Sequence, residues 1–209
     1  MCYDAKTSLT TYLISSILST FLFLTGDKYD KTIAIFCLTF GHMQLIEYLM
    51  WMDQNCGKIN HFATILGHIL LMLQPISVVL TGYMYNTFNI PSNLLVLLVI
   101  IAFIPLIYVL YINYTNTKQL CSREESSGHL EWNFVNGNTE KWSLLSQLNY
   151  LILLMVPWLF LKDKTKGISI FLIIISTYVY TNFNFHQWES YWCFIANLIP
   201  LFVLLLRFF

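Results

Sequence analysis

The sequence predicts an all-α integral membrane protein, a bundle of seven transmembrane helices carrying a small β-hairpin on its outer surface. Three observations lead there. Of 209 residues, 57% are hydrophobic and 11% charged, whereas a soluble domain uses roughly 25% charged residues to coat itself in solvated groups. Apolar stretches of about 20 residues, the length of a spanning helix, recur along the chain. Aromatic residues make up 17%, in keeping with a lipid-facing exterior and interfacial belts. The formal net charge is zero and no run of Lys or Arg occurs, so nothing points to nucleic acid. The partner implied is a lipid bilayer, and residues 1–209 read as one transmembrane domain.

The spans fall at 8–25, 32–52, 61–84, 92–112, 143–161, 168–183 and 190–208. The first is not read as a cleavable signal, because Thr25-Gly26-Asp27 follows without a small-x-small site. The sixth is short and the seventh follows closely, so a fused re-entrant pair, leaving six spans, stands as the alternative. Pro75, Pro105, Pro157 and Pro200 lie inside spans, where neighbouring helices can satisfy the carbonyls they free. Trp51, Trp142, Trp158, Trp188 and Trp192 fall near span ends, as interfacial anchors do.

The long loop at 113–142, between helices 4 and 5, carries Leu130-Glu131-Trp132-Asn133-Phe134-Val135 and then Asn136-Gly137. Alternation running into Asn-Gly is a strong short hairpin signal, and a β-hairpin on the outer membrane surface is the reading, against a plain solvated linker.

Topology follows from the short loops. Lys28, Lys31, Lys162, Lys164, Lys166 and Arg207 crowd one side, and Lys6, Lys58, Lys118, Arg123 and Lys141 are spread over longer segments on the other. The bias favours an N-terminus outside and a cytoplasmic C-terminus. Asn113-Tyr114-Thr115, a glycosylation sequon with Asn113 as acceptor, falls on that outer side. So do Cys2, Cys56 and Cys121, in segments that an oxidising compartment would bridge. A disulfide is expected between two of the three, with Cys2 to Cys56 favoured because both sit in short segments held by adjacent helices.

Polar residues inside the spans are the main functional clue. Glu47 lies roughly 7 Å below the outer end of the second span, and Gln44 one turn deeper, about level with His68 of the third. Gln147, Asn149 and Asn197 fall in the outer halves of the fifth and seventh spans. A carboxylate in hydrocarbon costs several kcal/mol, so Glu47 should face a partner, the bundle interior or water. His68 is its expected partner. Gln147, Asn149 and Asn197 read more readily as interhelical hydrogen-bond glue than as ligand contacts.

No metal site and no cofactor are expected. His61 and His68 share a face but stand about 10 Å apart along the axis. HExxH, GxSxG, phosphate-loop and CxxC motifs are lacking, and the seventh span has no Lys for a retinal Schiff base.

Three patches carry a resemblance: Met1-Cys2-Tyr3 with Ser8, then Gln44-Leu45-Ile46-Glu47-Tyr48-Leu49-Met50-Trp51, then Gln74-Pro75. Together they resemble an uncharacterised family of small multi-pass membrane proteins of large DNA viruses, algae and bacteria. That family opens Met-Cys-Trp, so Tyr3 departs from it. The resemblance implies a multi-pass helical fold and places weight on Gln44 and Glu47, but implies no reaction.

The leading functional expectation is a channel- or transporter-like bundle passing a proton or small ion through an outward-facing polar cavity at Glu47, Gln44, His68, Gln147, Asn149 and Asn197. A receptor, assembly or structural membrane component is the first alternative. An intramembrane lipid-modifying enzyme using Glu47 and His68 is the second, and the absence of catalytic motifs leans away from it. A homo-oligomer is compatible with the sequence.

Overall fold

Each of the first three helices is set by an aspartate at its start. In the computed structural model, which describes residues 4–126, 128–134, 144–184 and 188–208, the Asp4 carboxylate accepts the Thr7 N–H at 2.6 Å and opens α1 (Ala5–Thr25). Asp27 opens α2 (Lys28–Met52) through a capping box with Asp30, satisfying N–H groups that a helix start leaves unpaired. Asp53 closes the turn after α2 and accepts from the N–H groups of Gly57, Ile59 and Asn60, capping α3 (Lys58–Met84) from outside it. α4 (Ser92–Thr115) follows Pro91, whose fixed φ suits a helix entry.

The chain continues through α5 (Leu144–Leu159), α6 (Lys164–Asn184), α7 (Trp188–Ala196) and α8 (Ile199–Leu205), and ends in a 3-10 turn at Leu206–Phe208. Among the described residues, five helices are long and apolar enough to cross a membrane: α1, α2, α3, α4 and α6. Their outward faces carry large apolar side chains in the open, among them Ile17, Leu24, Ile104 and Ile107, which suggests a membrane-embedded protein.

Two expected boundaries move. The sixth span, expected at 168–183, is a full 21-residue helix beginning at Lys164, because Asp163 accepts the Lys166 N–H and caps it a turn earlier. The seventh, expected as one helix over 190–208, is broken at Asn197–Leu198 into α7 and α8. Pro200 has no N–H to give the Ala196 carbonyl, and its ring crowds that carbonyl.

α2 and α3 form the centre. They bury 61% and 67% of their most apolar stretch, against 22% for each of α1, α4 and α6. α1 lies on α2, α4 on α3, and α5 reaches α3, while α7 and α8 return to α2. Trp192 plugs the junction of α2, α5, α6 and α7, edge-on to Phe40, Tyr150 and Tyr178, its indole N–H donating to Thr177 at 3.1 Å. Trp158 packs against Phe36 and Phe88. Both indoles are almost fully buried, so they are core aromatics and not the interfacial anchors expected of them.

The loop between α4 and α5 does contain a two-stranded antiparallel sheet, but in another register. β1 (Arg123–Glu124) pairs with β2 (Leu130–Glu131), and the turn lies upstream, where Gly128 takes a φ of 78° and its N–H meets the Glu125 carbonyl. Asn136 and Gly137, the expected turn, lie outside the described residues.

Candidate functional site

Glu47, Gln44 and His68 project inward from α2 and α3, and none reaches the surface: Gln44 and Glu47 are 0% exposed and His68 is 3%. Gln44 sits one turn before Glu47, and its amide donates to the Glu47 carboxylate at 2.7 Å. His68 is directed elsewhere. Its ring stacks on Phe134 at 5.1 Å and its Nδ1 lies 3.3 Å from the Asn113 amide nitrogen. The expected Glu47–His68 pair is therefore replaced by Gln44–Glu47 on one helix and His68–Asn113 between two. Spacing alone put His68 level with Gln44 and one turn from Glu47; the direction of each side chain separates His68 from the carboxylate.

Asn113 falls within α4, and its amide also donates to the Val109 carbonyl at 2.8 Å. A glycan on that nitrogen would displace both partners. Gln147 and Asn149 lie on α5, in the stretch whose side chains fall outside the described residues. Asn197 sits at the α7–α8 break, 4% exposed, its amide donating to the Cys193 carbonyl at 2.7 Å.

A folded cap covers this end of α2 and α3. Asn60 is its hub: the amide donates to the Met50 and Ser122 carbonyls, and the Oδ1 accepts from the Ser122 N–H and the Thr64 hydroxyl. Leu120, Leu130 of β2 and Phe134 are buried within this cap. Phe134 packs over Gly67, where a Cβ would come within 3.2 Å of its ring. A disulfide joins Cys56 to Cys121, which corrects the favoured Cys2–Cys56 pairing, since each sulfur takes one partner. The longer loop folds back so that the Gln119 amide meets the Cys56 carbonyl and the Leu120 N–H meets His61, bringing Cys121 to Cys56. Cys2 lies outside the described residues.

The opposite end is closed by charge. Asp30, buried at the start of α2, forms an ion pair with Lys166 of α6 at 2.7 Å and accepts a hydrogen bond from Arg207 at 2.9 Å. Lys166 also reaches Asp27 at 3.0 Å, and Arg207 donates to the Thr25 hydroxyl at 2.9 Å. Partial burial acts against ionisation of Asp27, but the Asp30 N–H and the Lys166 ammonium outweigh it and hold its carboxyl below the ordinary value. Gly26 makes room: a Cβ there would overlap Asp30 and stand 2.5 Å from the Leu22 carbonyl oxygen. In the sequence these residues served only to weigh topology. The available signal was Gly26-Asp27-x-x-Asp30, a capping signature that brings a second carboxylate to one helix start.

Among known proteins, the chain is similar to an uncharacterised protein of Acanthamoeba polyphaga mimivirus, 23% identical over 228 aligned positions that cover 95% of this chain and 93% of the relative. No family model matches, and no solved structure matches. The likeness runs nearly end to end and is consistent with a viral link, without identifying a family. Among the described residues, no group of three or more His, Cys, Asp or Glu could hold a metal ion.

Proposed function

We propose that the chain is a polytopic membrane protein that passes a proton or small cation through an occluded polar centre at Glu47. In this reading α5 and the α7–α8 pair cross the bilayer with the five long helices, the N-terminus lies outside and the C-terminus in the cytoplasm. One observation carries the proposal: a carboxylate fully buried between apolar helices, hydrogen-bonded by Gln44 one turn away. An intramembrane acid is costly, and in a bundle it marks an ion or proton path. Its closure from solvent, with Phe134 laid over His68, favours an alternating site over an open pore.

The test is flux of protons and monovalent cations into proteoliposomes. Native protein should exceed empty liposomes, and Glu47→Gln, which keeps volume and a carbonyl acceptor but loses the titratable proton, should abolish the excess without unfolding the bundle. Equal flux in both proteins, or none in either, would overturn the proposal. The second reading, a structural or assembly component, is favoured by the Gln44–Glu47 bond itself, which a neutral, packed carboxyl would also make. It expects no flux, a near-neutral Glu47→Gln, and destabilisation by Glu47→Ala through a cavity and the loss of the Gln44–Glu47 bond.

A further inference from the structure

The break between α7 and α8 has a polar counterpart across the bundle. Asn197 Oδ1 and Ser15 Oγ, from α7–α8 and α1, are each 3.2 Å from the position a Cβ on Gly41 of α2 would take. Both oxygens are buried without a hydrogen-bond partner, on residues 4% and 1% exposed. The orientation of the Asn197 amide is fixed by chemistry, because the Cys193 carbonyl needs the donor end. What faces Gly41 is therefore an acceptor. An acceptor left unpaired in a low-dielectric interior carries a desolvation penalty, and a bound group that offsets it is the usual explanation.

Two further features give that group a sign. Ala196, the residue before Asn197, ends α7 and receives no N–H from Pro200 at the fourth position on. The carbonyl end of a helix carries partial negative charge, and unwound backbone between two half-helices is where membrane bundles hold small cations.

We propose that Asn197 Oδ1, Ser15 Oγ and the Ala196 carbonyl form a binding site for a monovalent cation of sodium's size, against the Cβ-less face of Gly41. The proposal rests on the membrane-bundle reading given above, but not on Glu47 being the group that conducts. A hard cation suits an all-oxygen set with no thiolate or imidazole.

Equilibrium binding of radiolabelled sodium to the full chain in detergent tests it, paired with thermal unfolding in sodium chloride and in choline chloride at equal ionic strength. Native protein should show saturable binding and unfold at a higher temperature in sodium. Asn197→Leu and Ser15→Ala should each weaken binding about tenfold or more, the loss expected when a contact to a charged group is removed. Gly41→Ala fills the site without removing a ligand: its Cβ would stand 3.2 Å from both oxygens, so it should still unfold cooperatively in choline but lose the rise in unfolding temperature that sodium gives native protein. Glu47→Gln should still bind, so loss of flux there and loss of binding here are separate outcomes. No saturable binding to native protein, with unfolding equal in the two salts, would overturn the site and leave a buried water as the partner of Asn197. Undiminished binding in Gly41→Ala and Asn197→Leu would overturn it as well.

Discussion

Replacing Asp30 by Asn should reveal what the charged clamp contributes. Asparagine keeps the size of the side chain and an acceptor for the Asp27 N–H, now 3.3 Å from Asp30 Oδ2, so the capping box survives and only charge is lost. The two cations fare differently. Lys166 retains Asp27 at 3.0 Å and Asp163 at 3.8 Å, and its charge stays compensated. Arg207 is left with a neutral hydroxyl and the Leu22 carbonyl. Removing one partner of a fully buried ion pair costs about 3–5 kcal/mol. The Arg207 side chain is 25% exposed and can recover part of its hydration, which lowers the expectation to about 2–3 kcal/mol. The assay is unfolding in mixed micelles for native protein, Asp30→Asn, Arg207→Gln and the double variant. Because the two residues touch, the double variant should fall short of the sum of the singles by about 1–2 kcal/mol. An Asp30→Asn protein within about 0.5 kcal/mol of native, the range of an ordinary surface substitution, would refute the reasoning.

Phe134→Ala should cost about 3 kcal/mol, as truncation of a buried aromatic does, and should open His68 to an imidazole-modifying reagent; a His68 equally protected in both proteins would mean that the cap does not seat there. The proposed topology is checked by single-cysteine labelling in sealed vesicles: Glu124→Cys should react from outside and Lys164→Cys should be protected, and the reverse pattern would invert the orientation. Because the Asp27 carboxyl is held below its ordinary value of 3.8, its contribution is present above that pH and is lost as the pH falls through the lowered folded value. Native protein should therefore lose stability on acidification below 3.8 more steeply than Asp27→Asn. The carboxylate is half exposed, so the difference is small, and parallel acid profiles would remove Asp27 from the clamp.

The helical elements were legible because spanning length and low charge are properties of composition, which survives without knowledge of partners. Helix starts were harder: Asp53 caps α3 from outside the helix, and Asp163 extends α6 by a turn that hydropathy averages away. The alternation expected over 130–134 holds only at its start, with Leu130 buried and Glu131 exposed, while Trp132 and Asn133 are both half-buried. It pairs backwards to Arg123–Glu124, because the strand partner is chosen by what covers α3 and not by the nearest Asn-Gly. Trp158 and Trp192 misled for a related reason. Nearness to a span end says how deep an indole sits, but whether it faces lipid or core depends on its angle around the helix, which needs the neighbouring helices.

The same distinction reorders the buried polar groups. Charge singled out Glu47 and His68, yet charge measures only what burial would cost an unpaired group; what a group can still do depends on which of its bonds are already made. Asn60 has both amide and oxygen engaged within the cap, and such a closed network rigidifies its surroundings and offers a ligand nothing. Asn197 has its amide engaged and its oxygen unpartnered, at a break that also frees a main-chain carbonyl. In the sequence each is a single amide beside or within an apolar stretch, with nothing to tell their partners apart. One ties a loop to two helices through four bonds, and the other holds an acceptor toward the one α2 position that has no side chain to meet it.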